Sequence, residues 1–166
     1  MKTLLAQRPK SLVAMLAGIA ALLALNSCFR GPPEPLGRPW DKIQLEVKDK
    51  TLEVEVASDN ASRQLGLMNR KELPKNHGML FLYSAPSRQG FWMKSTFIDL
   101  SIAFLSDDGK ILEIRDMKAH DETRTQSNNF VRYALEVNRG WFQEHGIVVG
   151  DSFKDFQTKI GKFVVR

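Results

Sequence analysis

Apolar and polar residues alternate along most of this chain. Ile43, Leu45 and Val47 alternate with polar neighbours, and so do Leu52, Val54 and Val56. Period two marks a half-buried strand, and VKDKT between the two runs predicts a loose hairpin. From Ser58 the period changes. Ser58 or Asp59 can cap a short helix in which Ala61, Leu65 and Met68 share one face, with Gly66 inside it inviting close packing. Pro74 and Gly78 end that excursion, and MLFLY (79–83) is apolar on both faces, as a central strand requires. Asp108-Gly109 predicts a second hairpin, followed by a strand with Leu112 and Ile114 on one side. Residues 118–129 read as a long polar loop. VRYALEV (131–137) alternates again, with Val131, Tyr133, Leu135 and Val137 inward and Arg132 and Glu136 outward. GWFQEHG predicts a short helix closed by Gly146, GDSF a turn, and KIGKFVVR a last strand. About eight short strands and two short helices predict a mainly β fold, a small compact antiparallel barrel or sandwich.

One run poses a specific question. Ile98, Leu100, Ile102 and Phe104 alternate with Asp99, Ser101 and Ala103, and the same parity carried backward passes through Thr96, Lys94 and Trp92. An unbroken strand would aim Lys94 and Thr96 into a cavity beside Trp92, with Arg63 of the nearby helix as a second cation. A buried ammonium costs several kcal/mol unless it meets an acid, an anion or water. Such a site would suit an anionic or polyhydroxy ligand stacked on the indole. A bulge near Ser95 would instead flip the parity, turn Phe91, Met93 and Phe97 to the core and leave Lys94 on the surface. The sequence leaves both readings open.

The N-terminus changes the picture of the whole chain. Lys2, Arg8 and Lys10 precede an apolar run of 14 residues from Leu12 to Leu25. That run is short for a bilayer span of about 20 residues and fits a secretion leader. Leu25, Asn26, Ser27 and Cys28 then resemble the lipobox of bacterial lipoproteins, whose cysteine carries lipid and becomes the new N-terminus. Cys28 is the only cysteine, so it has no intramolecular disulfide partner. Pro32, Pro33, Pro35 and Pro39 follow, a composition suited to a semi-rigid tether. The expected organisation is a leader over 1–27, a tether over 28–40 and one domain over 41–166. The expected setting is the cell envelope, with Phe29 rather than Asp after the cysteine pointing to the periplasmic face of the outer membrane.

Charge matters only after that cleavage. The whole chain carries +5 at pH 7 with a pI near 9.4. Loss of Lys2, Arg8 and Lys10, with no acid, leaves +2 and no long basic cluster, which argues against a nucleic-acid partner. No phosphate-binding loop and no zinc-type cysteine pattern is readable, so no cofactor is expected.

Six ordered segments, RQLGLMNR (63–70), GMLFLY (78–83), FWMKST (91–96), the Asp-Gly hairpin, YALEVNRGWF (133–142) and GIVVGD (146–151), together resemble the DUF192 family, also called UPF0127. The likeness covers nearly all of residues 51–155. It implies a small β-barrel-like domain, often exported, and supplies no biochemical activity. Arg63, Gly66, Leu67 and Met68 match the family's R-x-x-G-L-M helix. Gly78, Met79, Leu80 and Phe81 match its G-M-L-F strand, and Leu135, Glu136 and Gly140 its L-E-x-x-x-G segment. Phe91, Trp92, Met93, Lys94 and Thr96 match F-W-M-K-N-T, with Ser95 where Asn is usual. The family commonly continues I-P-L-D. Here the residues are Ile98, Asp99, Leu100 and Ser101, so a role for that family aspartate does not carry over.

The remaining candidates weigh less. Met68, Met79, Met93 and Met117, with His77, could form a soft-metal site, but methionines on apolar faces ordinarily fill cores. His120, Asp121 and Glu122 read as a solvated loop, so no metal is expected. Asp99 and Glu136 are the only pair that suggests glycosidase-type acid/base chemistry, and nothing in the sequence sets their separation. The chain therefore predicts a lipid-anchored envelope protein with a non-catalytic binding or accessory domain. Its ligand-facing group would be Arg63, Trp92, Lys94 and Thr96, and its partners the membrane and an envelope ligand or protein. The alternative is a hydrolase of envelope carbohydrate or peptidoglycan using Asp99 or Glu136.

Overall fold

The computed structural model describes residues 40–163 and 165. The leader, Cys28 and all but the last residue of the tether lie outside the described residues. Among the described residues no helix is long and apolar enough to cross a membrane.

Strands β1 (Lys42–Val47) and β2 (Lys50–Ala57) form the first hairpin, with Val47 opposite Lys50. Lys48 takes a positive φ of 53° in that tight turn, the left-handed geometry that two-residue hairpins need. Helix α1 (Asn60–Leu65) follows. β3 (His77–Ser87) then runs parallel to β2. β4 (Gly90–Phe91) is a two-residue strand that pairs with β7 (Thr125–Gln126) inside the long polar loop. β5 (Leu100–Leu105) and β6 (Ile111–Met117) form the second predicted hairpin. β8 (Val131–Asn138) inserts antiparallel between β3 and β5. The six-stranded order is β1-β2-β3-β8-β5-β6.

The fold is therefore mainly β, with a mixed sheet rather than an antiparallel one. The parallel β2–β3 pair is the correction, and it has a local cause. The chain between the two strands spends its length on α1 and the turns after it, and such a crossover returns a strand in the same direction. The edge strands do not form a continuous ladder with each other. A strip at 150–154 reaches both: Phe153 bridges to Val47 and Ser152 to Lys110, while the Lys154 N–H donates to the Glu46 carbonyl at 2.8 Å.

Helices α2 (Trp141–Glu144) and α3 (Phe156–Ile160) cover one face of the sheet. Lys159 and Ile160, the start of the predicted last strand, instead end α3, and Gly161 and Lys162 form a turn; residues 164 and 166 lie outside the described residues. Phe156, Ile160 and Phe163 recur at helical spacing, and the first two are buried against Tyr133 and Phe153. Gly109 makes that packing possible. It holds φ +85° in the β5–β6 turn, and a Cβ there would stand 2.5 Å from that of Phe156.

The central strands are buried on both sides. Leu80, Leu82, Ala103, Leu105, Tyr133 and Leu135 belong to the cluster under α2 and α3. Met79, Phe81, Ile102, Phe104 and Ala134 belong to a second cluster, closed by α1 and the 89–99 segment. The alternation of VRYALEV correctly separates the two sides of β8. Its outward side, however, is a second interior.

Candidate functional site

The second interior holds the site. Its lid begins with α1, whose start is set by a reciprocal cap. Asp59 Oδ1 accepts from the Ser62 N–H at 2.9 Å, and Ser62 Oγ accepts from the Asp59 N–H at 3.0 Å. The helix stops at Gly66, φ +48°, where a Cβ would touch the Phe81 ring at 3.4 Å. A Cβ would fit at that distance, so it is the positive φ that calls for glycine here. Arg63 fastens α1 to the sheet. Its Nη1 donates to the carbonyls of Ser58 (2.8 Å) and Leu82 (2.9 Å), and its Nη2 donates to Asn60 Oδ1. The guanidinium lies 5.3 Å from the centre of the Tyr83 ring.

The opposite lid is the 92–99 segment, and it settles the lysine. There is no strand between Phe91 and Leu100. Lys94 and Ser95 form a turn, with Ser95 at φ 51°. The Thr96 N–H returns to the Met93 carbonyl at 3.1 Å, and the Asn69 N–H donates to the Ser95 carbonyl at 2.8 Å. The turn shifts the parity. Met93 and Thr96 are buried, while Trp92 (46% exposed), Lys94 and Phe97 face outward. The expectation of an inward Lys94 is corrected. Its Nζ lies 5.4 Å from the centre of the Trp92 ring, on the outside of the lid. The alternative reading holds for Lys94, Phe91 and Met93 but not for Phe97, which is 51% exposed rather than in the core, and a turn rather than a bulge produces the change.

Between the lids and the sheet lies a cavity of about 70 Å³. Arg63, Tyr83, Trp92, Thr96 and Glu136 line it, together with apolar groups that include Phe81 and Phe91. Three of the four predicted ligand-facing residues, Arg63, Trp92 and Thr96, thus meet at one hollow, and Lys94 does not line it. Met68 and Met93 are also in its walls, whereas Met79 and Met117 are core residues. Among the described residues no group of three or more His, Cys, Asp or Glu is placed to hold a metal.

Glu136 is the unanticipated feature. The alternation of β8 points it outward, yet it is 5% exposed, between Met79 of β3 and Ile102 of β5 in the sheet register. No group among the described residues hydrogen-bonds or ion-pairs with its carboxyl, and the cavity is what it faces. Burial pushes its pKa up to about 8, so the group is mainly protonated at neutral pH. Burial also raises Tyr83 to about 12; Arg63 opposes that shift and Glu136 adds to it. A neutral acid in a wall of aromatic rings can donate or accept one hydrogen bond, or ionise when a cation arrives.

Asp99 sits elsewhere. It accepts from the Ala119 N–H at 2.8 Å and from Arg139 Nη1 at 3.2 Å. The backbone hydrogen bond from Ala119 and the Arg139 contact hold its pKa below the usual carboxylate value. Asp99 does not line the cavity that Glu136 faces, so the two carboxyls of the hydrolase reading share no hollow. A second cavity of about 300 Å³ lies beside Ser101, Asp116 and Gly140. Its polar groups are already joined, Ser101 Oγ donating to Asp116 at 2.6 Å and accepting from the Gly140 N–H at 2.9 Å.

Comparison with known proteins agrees with this architecture. The family model for DUF192, described as an uncharacterized group, matches residues 43–154. A crystal structure from Sinorhizobium meliloti 1021, titled a "putative transcription regulator", is 32% identical, with a TM-score of 0.65; the match covers 69% of this chain and 94% of that one. A protein of unknown function from Novosphingobium aromaticivorans DSM 12444 is 29% identical, with a TM-score of 0.67 and coverage of 73% and 89%. No curated protein matches.

Proposed function

Because the chain belongs to the DUF192 family, whose description claims no activity, we propose a function from the cavity itself: a non-catalytic binding module, tethered to the cell envelope by lipid on Cys28, that holds one end of a small ligand beneath Trp92. The observation that carries this reading is Glu136, a largely buried carboxyl that opens onto the hollow and has no hydrogen-bond or ion-pair partner among the described residues. Its oxygens are reachable only from the hollow, so whatever occupies the hollow supplies their hydrogen bonds. A volume of about 70 Å³ admits a few waters or one small head group. The rest of the ligand would lie outside, on the half-exposed indole.

The scaffold suits the task. In our reading it is a barrel in which the 150–154 strip stands in for the missing ladder between β1 and β6, which keeps the floor of the site rigid. The hydrolase reading loses support, since its two carboxyls line no common cleft. The tether and leader argue for an exported, lipid-anchored protein, and the proline-rich spacing would hold the domain off the membrane.

Thermal-shift measurements on the full chain with neutral polyols, organic anions and organic amines test the site. At least one class is expected to raise Tm in the wild type and to lose its effect in Trp92→Ala. No shift from any class would overturn the binding reading. Mass spectrometry of the mature protein tests the anchor. The diacylglyceryl mass is expected on Cys28 and should vanish in Cys28→Ala.

A further inference from the structure

We propose that the cavity beneath Trp92 accepts the primary ammonium group of an amine-bearing ligand, with Glu136 as counter-charge and aromatic rings as walls. The inference rests on the cavity being a ligand site and names its ligand class. It reverses the charge expected from the sequence. An anionic ligand required Lys94 inside, and Lys94 is outside.

Four observations point the same way. First, the only acid in the lining is buried and has no partner among the described residues. Second, the lining is rich in rings, from Phe81, Tyr83, Phe91 and Trp92, and ring faces attract ammonium groups. Trp92 already takes one on its outer side, from Lys94. Third, Thr96 Oγ1 donates to the Lys94 carbonyl at 3.3 Å, which leaves its lone pairs for an incoming N–H. Fourth, the one cation in the lining, Arg63, is already engaged, with hydrogen bonds to Ser58, Leu82 and Asn60 among its contacts. Its charge adds a constant repulsion that does not titrate.

The charged and titratable groups around the carboxyl are few. α1 contributes Arg63 and β3 contributes Tyr83, which is neutral well above physiological pH. β5 faces it with Leu100 and Ile102, and the 92–96 turn with Trp92, Met93 and Thr96, all uncharged. Glu136 is therefore the group whose ionisation decides the site's charge. Binding would proceed by loss of its proton to solvent, leaving a carboxylate that accepts an N–H from the ammonium. One proton is released per ligand bound at neutral pH. Affinity for an amine must then rise with pH until the carboxyl is ionised in the empty protein. An anion would show the opposite slope, and a neutral polyol would show none or a fall.

The test is an NMR titration of the Trp92 indole N–H in the full chain, assigned with Trp92→Phe. The probes are n-butylammonium chloride, n-butanol, sodium butyrate and glucose, at pH 6, 7, 8 and 9. Butylammonium affinity is expected to rise about tenfold per pH unit from 6 to 8 and to flatten by 9. Glu136→Gln, which copies the neutral acid in shape, should lose both the binding and the slope. If Glu136→Gln does not fold, the wild-type slope decides alone. Binding of butanol, butyrate or glucose without butylammonium would overturn the ligand class and leave the cavity reading standing. Amine binding that persists in Glu136→Gln, or that lacks the pH slope, would also overturn the proposal. Silence from all four probes would overturn both readings.

Discussion

Leu135 and Glu136 are neighbours on one strand, and they end in two different interiors. Leu135 is fully buried among Leu80, Ala103 and Val137 beneath the sheet's helical cover. Glu136, 5% exposed, enters the opposite interior with a hollow in front of it. The first interior is closed by large apolar pieces, Trp141, Phe142, Phe153, Phe156 and Ile160. The second is closed by a one-turn helix and a turn whose indole stays half exposed. A chain selected only for stability would make both sides like the first. The difference teaches where this molecule gives up packing energy, and an acid with a raised pKa beside a cavity, without a partner among the described residues, is the usual mark of a site.

The sharpest break in that comparison is a pH series. The folded pKa of Glu136, about 8, lies above its ordinary value of 4.5. The native state then binds more protons than the unfolded chain between those limits, so stability falls as pH rises through that window and levels off above it. At about 1.4 kcal/mol per unit, the loss is roughly 4 kcal/mol across the range. Urea denaturation of wild type and Glu136→Gln at pH 5 and pH 9 should show the variant gaining on the wild type by that order. Equal pH profiles would place Glu136 in water rather than in the interior.

Next comes the neighbouring position. Leu135→Ala should cost about 3 kcal/mol at both pH values, because it opens a void in the sealed interior. A loss below about 1 kcal/mol would mean that this side relaxes as freely as the other, against the packed cover described above. The smallest effect belongs to Lys94→Met. An exposed ammonium over an exposed ring should change stability by no more than about 0.5 kcal/mol and leave the pH profile alone. A shift of the profile would mean that Lys94 reaches Glu136.

Much of this was legible along the chain. Both hairpins, the cap at Asp59 and the two-sided burial of MLFLY follow from local patterns, and all are present, whereas Gly66 ends the helix rather than sitting inside it. Arg63, Trp92 and Thr96 were singled out from motif and parity, and the cavity unites them. Two departures from the local pattern have local causes. Ile160 and Phe163, read as strand, continue a helical spacing that begins at Phe156, before that stretch. Ser95 occupies a position where the family usually has Asn, a residue that tolerates positive φ. That was the available signal for a turn at Lys94 and Ser95.

The direction of Glu136 had no such signal. Period two tells which side chains share a face of a strand, and on β8 it separated Tyr133, Leu135 and Val137 from Glu136 correctly. It carries no information on what covers the other face. That cover comes from α1 and the 92–96 turn, segments distant in sequence that fold back over the sheet. Local alternation was thus determined by the sequence alone, because it depends on backbone geometry repeated every two residues. Whether the outward acid meets water or a closed hollow was decided by tertiary packing, because burial is a property of everything that surrounds a residue.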